Sequence, residues 1–94
     1  MDMIIDVDHI IDDAMKLFYD AEHQCFKSTV NVGIDEERID ECVECALREN
    51  GIECIIDITD AYAVNGVNVV SVMSIVWYDK RYGLHLRTYV LEDI

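Results

Sequence analysis

The sequence predicts an α+β fold, in which two amphipathic helices pack on one face of an antiparallel three- to four-stranded sheet that ends in a C-terminal meander. Two long apolar runs, residues 52–64 and 67–79, flank the dipeptide Asn65-Gly66, and a shorter run, 84–91, follows after four residues. Asn-Gly between β-branched runs is a strong hairpin signal, because both central positions of a type I′ turn need positive φ. The first half instead repeats its apolar residues at helical spacing.

The lengths of the two turns predict the register of the meander. A two-residue first turn pairs Val64 with Val67, and a four-residue second loop pairs Trp77 with Leu86. Both turns place one apolar set on the same face, which we expect the helices to cover. This set comprises Cys54, Ile56, Ile58, Tyr62, Val69, Met73, Ile75, Trp77, Leu86 and Val90. Asp60 falls on that face too, so we expect a bulge or strand break near residues 59–61.

The first helix is predicted from one apolar stripe with alternating steps of three and four residues. The stripe comprises Ile4, Val7, Ile11, Ala14, Phe18, Ala21 and Cys25, which predicts helix through about Gln24. Residues 1–7 also alternate between apolar and acidic side chains. A short strand before a helix capped at Asp8 therefore remains an alternative.

The second helix is predicted to begin at Asp35 as N-cap, with Glu36 and Glu37 in its first turn. It is predicted to end at Asn50, because Gly51 suits the left-handed C′ position and the next residue can fold back in a Schellman arrangement. Between the helices, residues 26–32 alternate and are rich in β-branched side chains. They are either a short strand at the sheet edge or an extended connection.

Composition limits the classes of function. The 94 residues make a single domain, 1–94, that is 52% apolar and carries 20 acidic against 7 basic side chains, a net charge of −13. Such a field repels nucleic acid and anionic membranes and attracts basic protein surfaces. No apolar run approaches the roughly 18 residues of a membrane span, and the N-terminus lacks the cationic region of a signal peptide. We expect a cytoplasmic protein with reduced cysteines.

Few residues point to catalysis or metal binding. Cys42-x-x-Cys45, together with Cys25 and Cys54, could supply four thiolates to zinc. The pair lies mid-helix with acidic neighbours, however, so we predict no metal and no cofactor. The three histidines are scattered, and no nucleophile, phosphate-loop or metalloprotease motif occurs. We therefore expect a protein that is not an enzyme.

The acidic side chains are the main candidates for partner binding. Residues 1–50 hold 14 acidic and 4 basic residues, a net of −10, whereas residues 51–94 hold 6 and 3. Carboxylates on acidic helices could imitate phosphates for a partner with a basic surface. The candidates are Asp12, Asp13, Asp20, Glu36, Glu37, Asp40, Glu41 and Glu44. The alternative is that these carboxylates only keep the protein soluble, but solubility gives no reason to concentrate them in one half of the chain.

The outer face of the sheet is a second candidate surface. In the predicted register it exposes Ile55, Val70, Val72, Val76, Tyr78 and Tyr89, and no predicted element covers it. An open apolar sheet face usually meets a partner or a second copy of the chain. We therefore expect this face to form the interface of a homodimer.

The general profile resembles small inhibitors encoded by phages and mobile elements: the chain is short, acidic and free of proline, and it lacks catalytic motifs. Anti-CRISPR and anti-restriction proteins are of this kind. The likeness implies an inhibitor that occupies the basic surface of a nuclease or another nucleic-acid-binding complex in a host cytoplasm. Immunity proteins or antitoxins are the second possibility, and a housekeeping interaction or assembly subunit is the third.

Overall fold

The computed structural model describes residues 5–62 and 69–92, and only the backbone of residues 61, 62 and 69. The helices are α1 (Val7–Met15), which continues into a 3₁₀ turn (Lys16–Phe18), and α2 (Ile39–Glu49). The strands are β1 (Tyr19–Asp20), β2 (Cys25–Phe26), β3 (Thr29–Val32), β4 (Asp35–Arg38), β5 (Cys54–Tyr62), β6 (Val69–Asp79) and β7 (Gly83–Glu92). The turn predicted at Asn65-Gly66 and the Val64–Val67 pair lie outside the described residues.

The strands form two sheets rather than one. Five strands associate in the order β1-β2-β7-β6-β5, and β3 and β4 form a separate two-stranded sheet. The larger sheet is mixed, because β2 runs parallel to β7 through the pair Phe26–Leu91. The predicted fold was therefore wrong in its sheet. It expected an antiparallel sheet of three to four strands, whereas the described chain has seven strands and more strand than helix.

One hydrophobic core lies between the helices and a single face of the larger sheet. Six side chains from α1, the 3₁₀ turn and α2 meet four from β6 and β7. These ten buried residues are Ile11, Met15, Phe18, Ile39, Val43, Leu47, Met73, Ile75, Trp77 and Leu91. Burying an aliphatic or aromatic side chain of this size contributes about 1.5–3 kcal/mol, so these residues dominate the stability of the fold. The described helices, of 9 and 11 residues, are too short and too polar to cross a membrane.

Aspartates lie just before helix α1 and just after its 3₁₀ extension. The Asp6 carboxylate accepts a hydrogen bond from the His9 backbone N–H at 3.1 Å, which makes Asp6 the N-cap. The helical segment stops at Phe18, six residues before the predicted end at Gln24. The Asp20 carboxylate there accepts the backbone N–H groups of Glu22 and His23, and this local turn competes with helix propagation. Residues 19–26 consequently form a short hairpin.

The predicted N-terminus of the second helix was also wrong. Residues 35–38 form strand β4, which pairs with β3 across a two-residue loop at Gly33 and Ile34. Gly33 has φ of +70°, and Ile34 does not have positive φ, which is the pattern of a type II′ hairpin turn. The N-cap of α2 is Arg38, without a side-chain cap. The predicted end of this helix is confirmed: Gly51 has φ of +75°, and the Ile52 N–H donates to the Leu47 carbonyl at 2.9 Å.

The first half of the meander has the predicted register. Strands β5 and β6 pair Cys54 with Trp77, Ile56 with Ile75 and so on through the described residues. The expected break near residues 59–61 was wrong, because β5 is continuous. Asp60 needs no bulge, since it is exposed and accepts a hydrogen bond from the Ser71 hydroxyl at 3.0 Å.

The second half of the meander is shifted by one residue from the prediction. The loop has three residues, 80–82, because Gly83 adopts φ of +85° and pairs with Asp79. The Asp79 carboxylate also accepts the Arg81 N–H at 2.7 Å, which tightens the loop. A one-residue shift turns every side chain of a strand to the other face. Leu86 and Val90 are therefore not on the covered face but are 63% and 55% exposed.

Candidate protein-binding surfaces

The carboxylates of α1 are engaged within the chain. Asp12 accepts a hydrogen bond from Nη2 of Arg87 at 3.0 Å, and Asp8 accepts one from Nη1 of the same guanidinium at 3.2 Å. Asp13 lies 2.9 Å from Nζ of Lys16 and 3.2 Å from the His9 ring. The hydrogen bond from Lys16 lowers the pKa of Asp13. Predicted partner-binding residues Asp12 and Asp13 therefore already have cationic neighbours.

Asp20 is also an intramolecular residue. Its carboxylate lies 2.9 Å from His23 Nδ1 and 3.2 Å from Lys27 Nζ, and its side chain is only 14% exposed. The hydrogen bond from His23 holds the pKa of Asp20 well below its usual range. Asp20 closes the β1–β2 turn and is therefore not a free, solvent-facing carboxylate.

The other five predicted carboxylates lie in one continuous segment, residues 35–44, which we call the acidic tract. It holds six acidic side chains against the single basic side chain of Arg38. The acidic side chains are Asp35, Glu36, Glu37, Asp40, Glu41 and Glu44. The tract is strand β4 followed by the first half of α2, so its carboxylates do not all lie on a helix.

The carboxylates of the acidic tract differ in whether a basic side chain lies close enough to neutralise them. Glu44 lies 2.6 Å from Arg48, and Asp40 Oδ1 lies 3.5 Å from Arg38 Nε, too poorly placed for a hydrogen bond. Glu37 is half-buried and accepts a weak bond from the Cys42 thiol. Glu36 and Glu41 are exposed, as is Asp35. Within the described ranges, no basic nitrogen lies within 4.0 Å of these last three carboxylates.

The cysteines do not converge on a shared site. The Cys42 thiol faces Glu37 at 3.6 Å, and the exposed Cys45 thiol faces Glu49 at 3.5 Å. Burial, followed by the charge of Glu37, raises the pKa of Cys42, and the hydrogen bond to Glu49 raises that of Cys45. A raised pKa disfavours the thiolate that zinc binding and nucleophilic attack both require.

The histidines lie in three separate environments. His9 pairs with Asp13, and the His85 ring stacks on Trp77 at 5.3 Å between centroids. Only His23 lies near two carboxylates, those of Asp20 and Glu22, at the exposed β1–β2 turn. Asp20 already accepts four hydrogen bonds or ion pairs there, and the group has the character of a turn rather than of a binding site. That the chain is not an enzyme stays a prediction.

The outer face of the sheet is apolar over most of three strands. The β7 shift moves predicted residue Tyr89 to the covered face, where Phe26 packs on its ring at 5.5 Å and Arg87 lies 5.1 Å above it. The prediction that Tyr89 lies on the outer face was therefore wrong. We define the outer apolar face as Ile55, Val72, Val76, Tyr78, Leu84, Leu86 and Val90. Predicted residue Val70 continues it at the end next to Glu92.

The sequence analysis missed three residues of this face, namely Leu84, Leu86 and Val90. The signal that could have found them is the spacing of Asp79 and Gly83, which is typical of a three-residue hairpin loop with a left-handed glycine. An open groove of about 790 Å³ adjoins the same face at the start of β5. It is lined partly by Ile55 and Tyr78, so it extends the apolar surface around the sheet edge.

Comparison with known proteins provides no relative: neither the family models, nor the characterised proteins, nor the solved structures include a match to this chain. Functional conclusions therefore depend on the two surfaces themselves.

Proposed function

We propose that this protein is a non-enzymatic inhibitor that binds a basic nucleic-acid-binding protein or nuclease complex through the acidic tract. The observation that carries the proposal is that Asp35, Glu36 and Glu41 are exposed carboxylates with no basic nitrogen within 4.0 Å in the described part of the chain. Carboxylates that are not compensated inside a chain are available to arginines and lysines of another protein. A protein that grips a nucleic acid presents such side chains in a row.

Three predicted carboxylates outside the acidic tract are less available to a partner. Asp12, Asp13 and Asp20 each have a cationic neighbour within 3.2 Å, so a partner would have to displace it. These intramolecular contacts already neutralise the carboxylates of α1 and the β1–β2 turn in part, so these carboxylates attract a basic partner less strongly than the uncompensated carboxylates do. We therefore assign binding to residues 35–44 and assign the remaining charge to long-range attraction.

Binding of this kind has a definite salt dependence. The net charge of −13 speeds the encounter with a basic surface, and added salt screens it over a Debye length of about 8 Å at physiological ionic strength. Because the carboxylates occupy the place of phosphates, binding should also compete with DNA or RNA. Competition by DNA or RNA therefore distinguishes this proposal from one in which the protein binds the partner away from its nucleic-acid site.

The experiment compares two charge-reversal variants with equal net charge. The test variant is Glu36→Lys with Glu41→Lys, and the control is Glu22→Lys with Glu53→Lys, two exposed positions outside the acidic tract. Each replacement adds two charges, so both variants change from −13 to −9. The probe is a set of purified nucleases and nucleic-acid-binding proteins retained on a DNA column, tested for capture by the immobilised protein with and without duplex DNA.

We expect the wild-type protein to capture a member of the set, to inhibit it, and to release it when DNA is added. The test variant should lose at least tenfold in affinity, whereas the control should lose only the part due to net charge. Equal loss in both variants would mean that bulk charge and not the tract decides binding. Capture that DNA does not displace would contradict the proposal outright.

A further inference from the structure

Most of strand β7 has the opposite polarity from the one that its position predicts. Only Leu91, near its C-terminal end, is an aliphatic core residue; the rest of its covered face carries His85, Arg87 and Tyr89, whereas Leu84 and Leu86 point away from the helices and are 75% and 63% exposed. A half-buried antiparallel strand normally places its apolar side chains toward the core. The inversion costs stability in an isolated chain, because β7 leaves Leu84, Leu86 and Val90 largely in water and covers an arginine.

We infer that the outer apolar face is the interface of a homodimer, in which two copies stack sheet against sheet with the helices outermost. This arrangement is a four-layer sandwich related by a two-fold axis. It goes beyond the proposed function, because it concerns the opposite side of the molecule from the acidic tract and needs no foreign partner.

The extent of the face fits a weak but specific dimer. Three strands spaced about 4.8 Å apart, over some eight residue steps of roughly 3.4 Å, give a footprint of about 400 Å² per copy. Two footprints amount to about 800 Å² before the relief of the side chains is counted, which places the dimer among weak interfaces, those below about 1,200 Å². An interface of this size dissociates on dilution, so the dimer should depend on concentration.

The distribution of charge identifies the second copy as the occupant. Two charged side chains lie on the outer face of β5, β6 and β7: Asp57, on the edge strand β5 in a row with Ser74 and Thr88, and Glu92, at the end of β7. The apolar side chains on either side of that row offer a basic partner little to bind, whereas two such faces complement each other. Stacked sheets lie about 10 Å apart, and a helix layer adds roughly 10 Å on each side, so the acidic surfaces stay several Debye lengths from each other.

The test measures mass and replaces one residue inside the face and one outside it. Analytical ultracentrifugation over a wide range of protein concentration should show twice the 10.8 kDa chain mass for the wild-type protein. Leu86→Lys places a charge on the face beside Val76 and should raise the dimer dissociation constant at least tenfold. The control is Ile34→Lys, the same type of change at a side chain that is 101% exposed at the tip of the β3–β4 hairpin, and it should leave the mass unchanged.

Circular dichroism confirms that each variant is folded, which is expected because Leu86 contributes little to the core. A wild-type protein that stays at 10.8 kDa at the highest concentration would overturn the inference and leave the face to another occupant. A dimer that persists unchanged in Leu86→Lys would also overturn it and move the interface to the β5 edge. Capture of the basic partner by a monomeric Leu86→Lys variant separates this result from the proposed function.

Discussion

Arg87 connects α1 to the sheet, and its replacement by methionine tests whether the carboxylates of α1 are structural. The Arg87 guanidinium donates to Asp8 and Asp12 at 3.2 and 3.0 Å and lies 5.1 Å above the Tyr89 ring. Methionine retains an unbranched apolar stem of similar reach. Arg87→Met therefore removes the charged contacts and leaves most of the packing in place.

The expected loss follows from exposure. The Arg87 side chain is 29% exposed and its partners are more than half exposed, so each ion pair contributes about 0.2–1 kcal/mol. The cation–π contact adds about 0.5–1 kcal/mol. We expect the free energy of unfolding to fall by about 1–2 kcal/mol, which lowers Tm by about 4–8 °C per kcal/mol in a domain of this size.

Urea denaturation followed by fluorescence is the assay, since Trp77 is the only tryptophan and is 4% exposed. The cycle with Asp12→Asn should show a coupling of about 0.5 kcal/mol that shrinks in high salt. All variants are compared at one protein concentration, because self-association would add to stability. Additive effects of Arg87→Met and Asp12→Asn would refute the pairing, and loss of partner capture in Asp12→Asn would return α1 to the binding surface.

Three further predictions concern Tyr89, Gly51 and the cysteines of α2. Tyr89→Phe should be neutral or stabilising by up to about 1 kcal/mol, because among the described residues the buried phenolic oxygen has no partner in hydrogen-bond geometry, and the neighbouring Asp12 carboxylate is bonded to Arg87. Burial also raises the pKa of Tyr89. The wild-type protein should therefore lose stability as pH rises from about 10, the ordinary tyrosine pKa, toward the pKa of Tyr89 in the folded protein. The Phe variant should lose less stability over this range in alkaline urea titrations. Gly51→Ala should lower the free energy of unfolding by about 1 kcal/mol, because φ of +75° disfavours any side chain although the added Cβ meets open space. An unchanged midpoint in chemical denaturation would contradict this prediction. The purified protein should contain no stoichiometric zinc by elemental analysis, since Cys42 and Cys45 face carboxylates; near one zinc per chain would refute this.

Local signals in the sequence predicted some elements well. The end of α2 is determined by three adjacent residues, and Gly51 can adopt the left-handed conformation without help from the rest of the fold. The β5–β6 register follows from a match of apolar residues along nine pairs, so a shifted alternative would expose the whole set. These features could be predicted because each depends on neighbours in sequence or on a long repeated pattern.

The remaining elements depended on competition between local structures. Residues 19–25 continue the helical stripe of α1, but the Asp20 carboxylate binds two backbone N–H groups and stops the helix. Asp35 is a good N-cap by composition, yet Gly33 closes a hairpin that takes residues 35–38 into a strand. Neither outcome follows from periodicity alone, because each depends on which of two satisfied hydrogen-bond arrangements is lower in free energy.

Each of the two candidate surfaces was also predictable from the sequence only in part. The excess of carboxylates in residues 1–50 could be counted, but their neutralisation by Arg87, Lys16 and Lys27 required the tertiary structure. The outer face was predicted in β5 and β6 and misassigned in β7, because assigning Leu86 and Val90 to the core is the correct choice for an isolated domain. Leu86 and Val90 instead lie exposed on the outer face, and this difference is the observation on which the proposed dimer interface rests.

The two proposed surfaces together predict a stoichiometry. A dimer formed by the outer apolar face carries its two acidic tracts on the outside of the sandwich, one on each helix layer. The tracts of the two copies therefore lie on opposite sides, and a single compact partner cannot contact both. Each chain should bind one partner molecule, giving two partners per dimer without avidity between them. A complex of one partner with two chains, measured by ultracentrifugation at saturation, would require the tracts to lie on one side and would contradict the stacked arrangement.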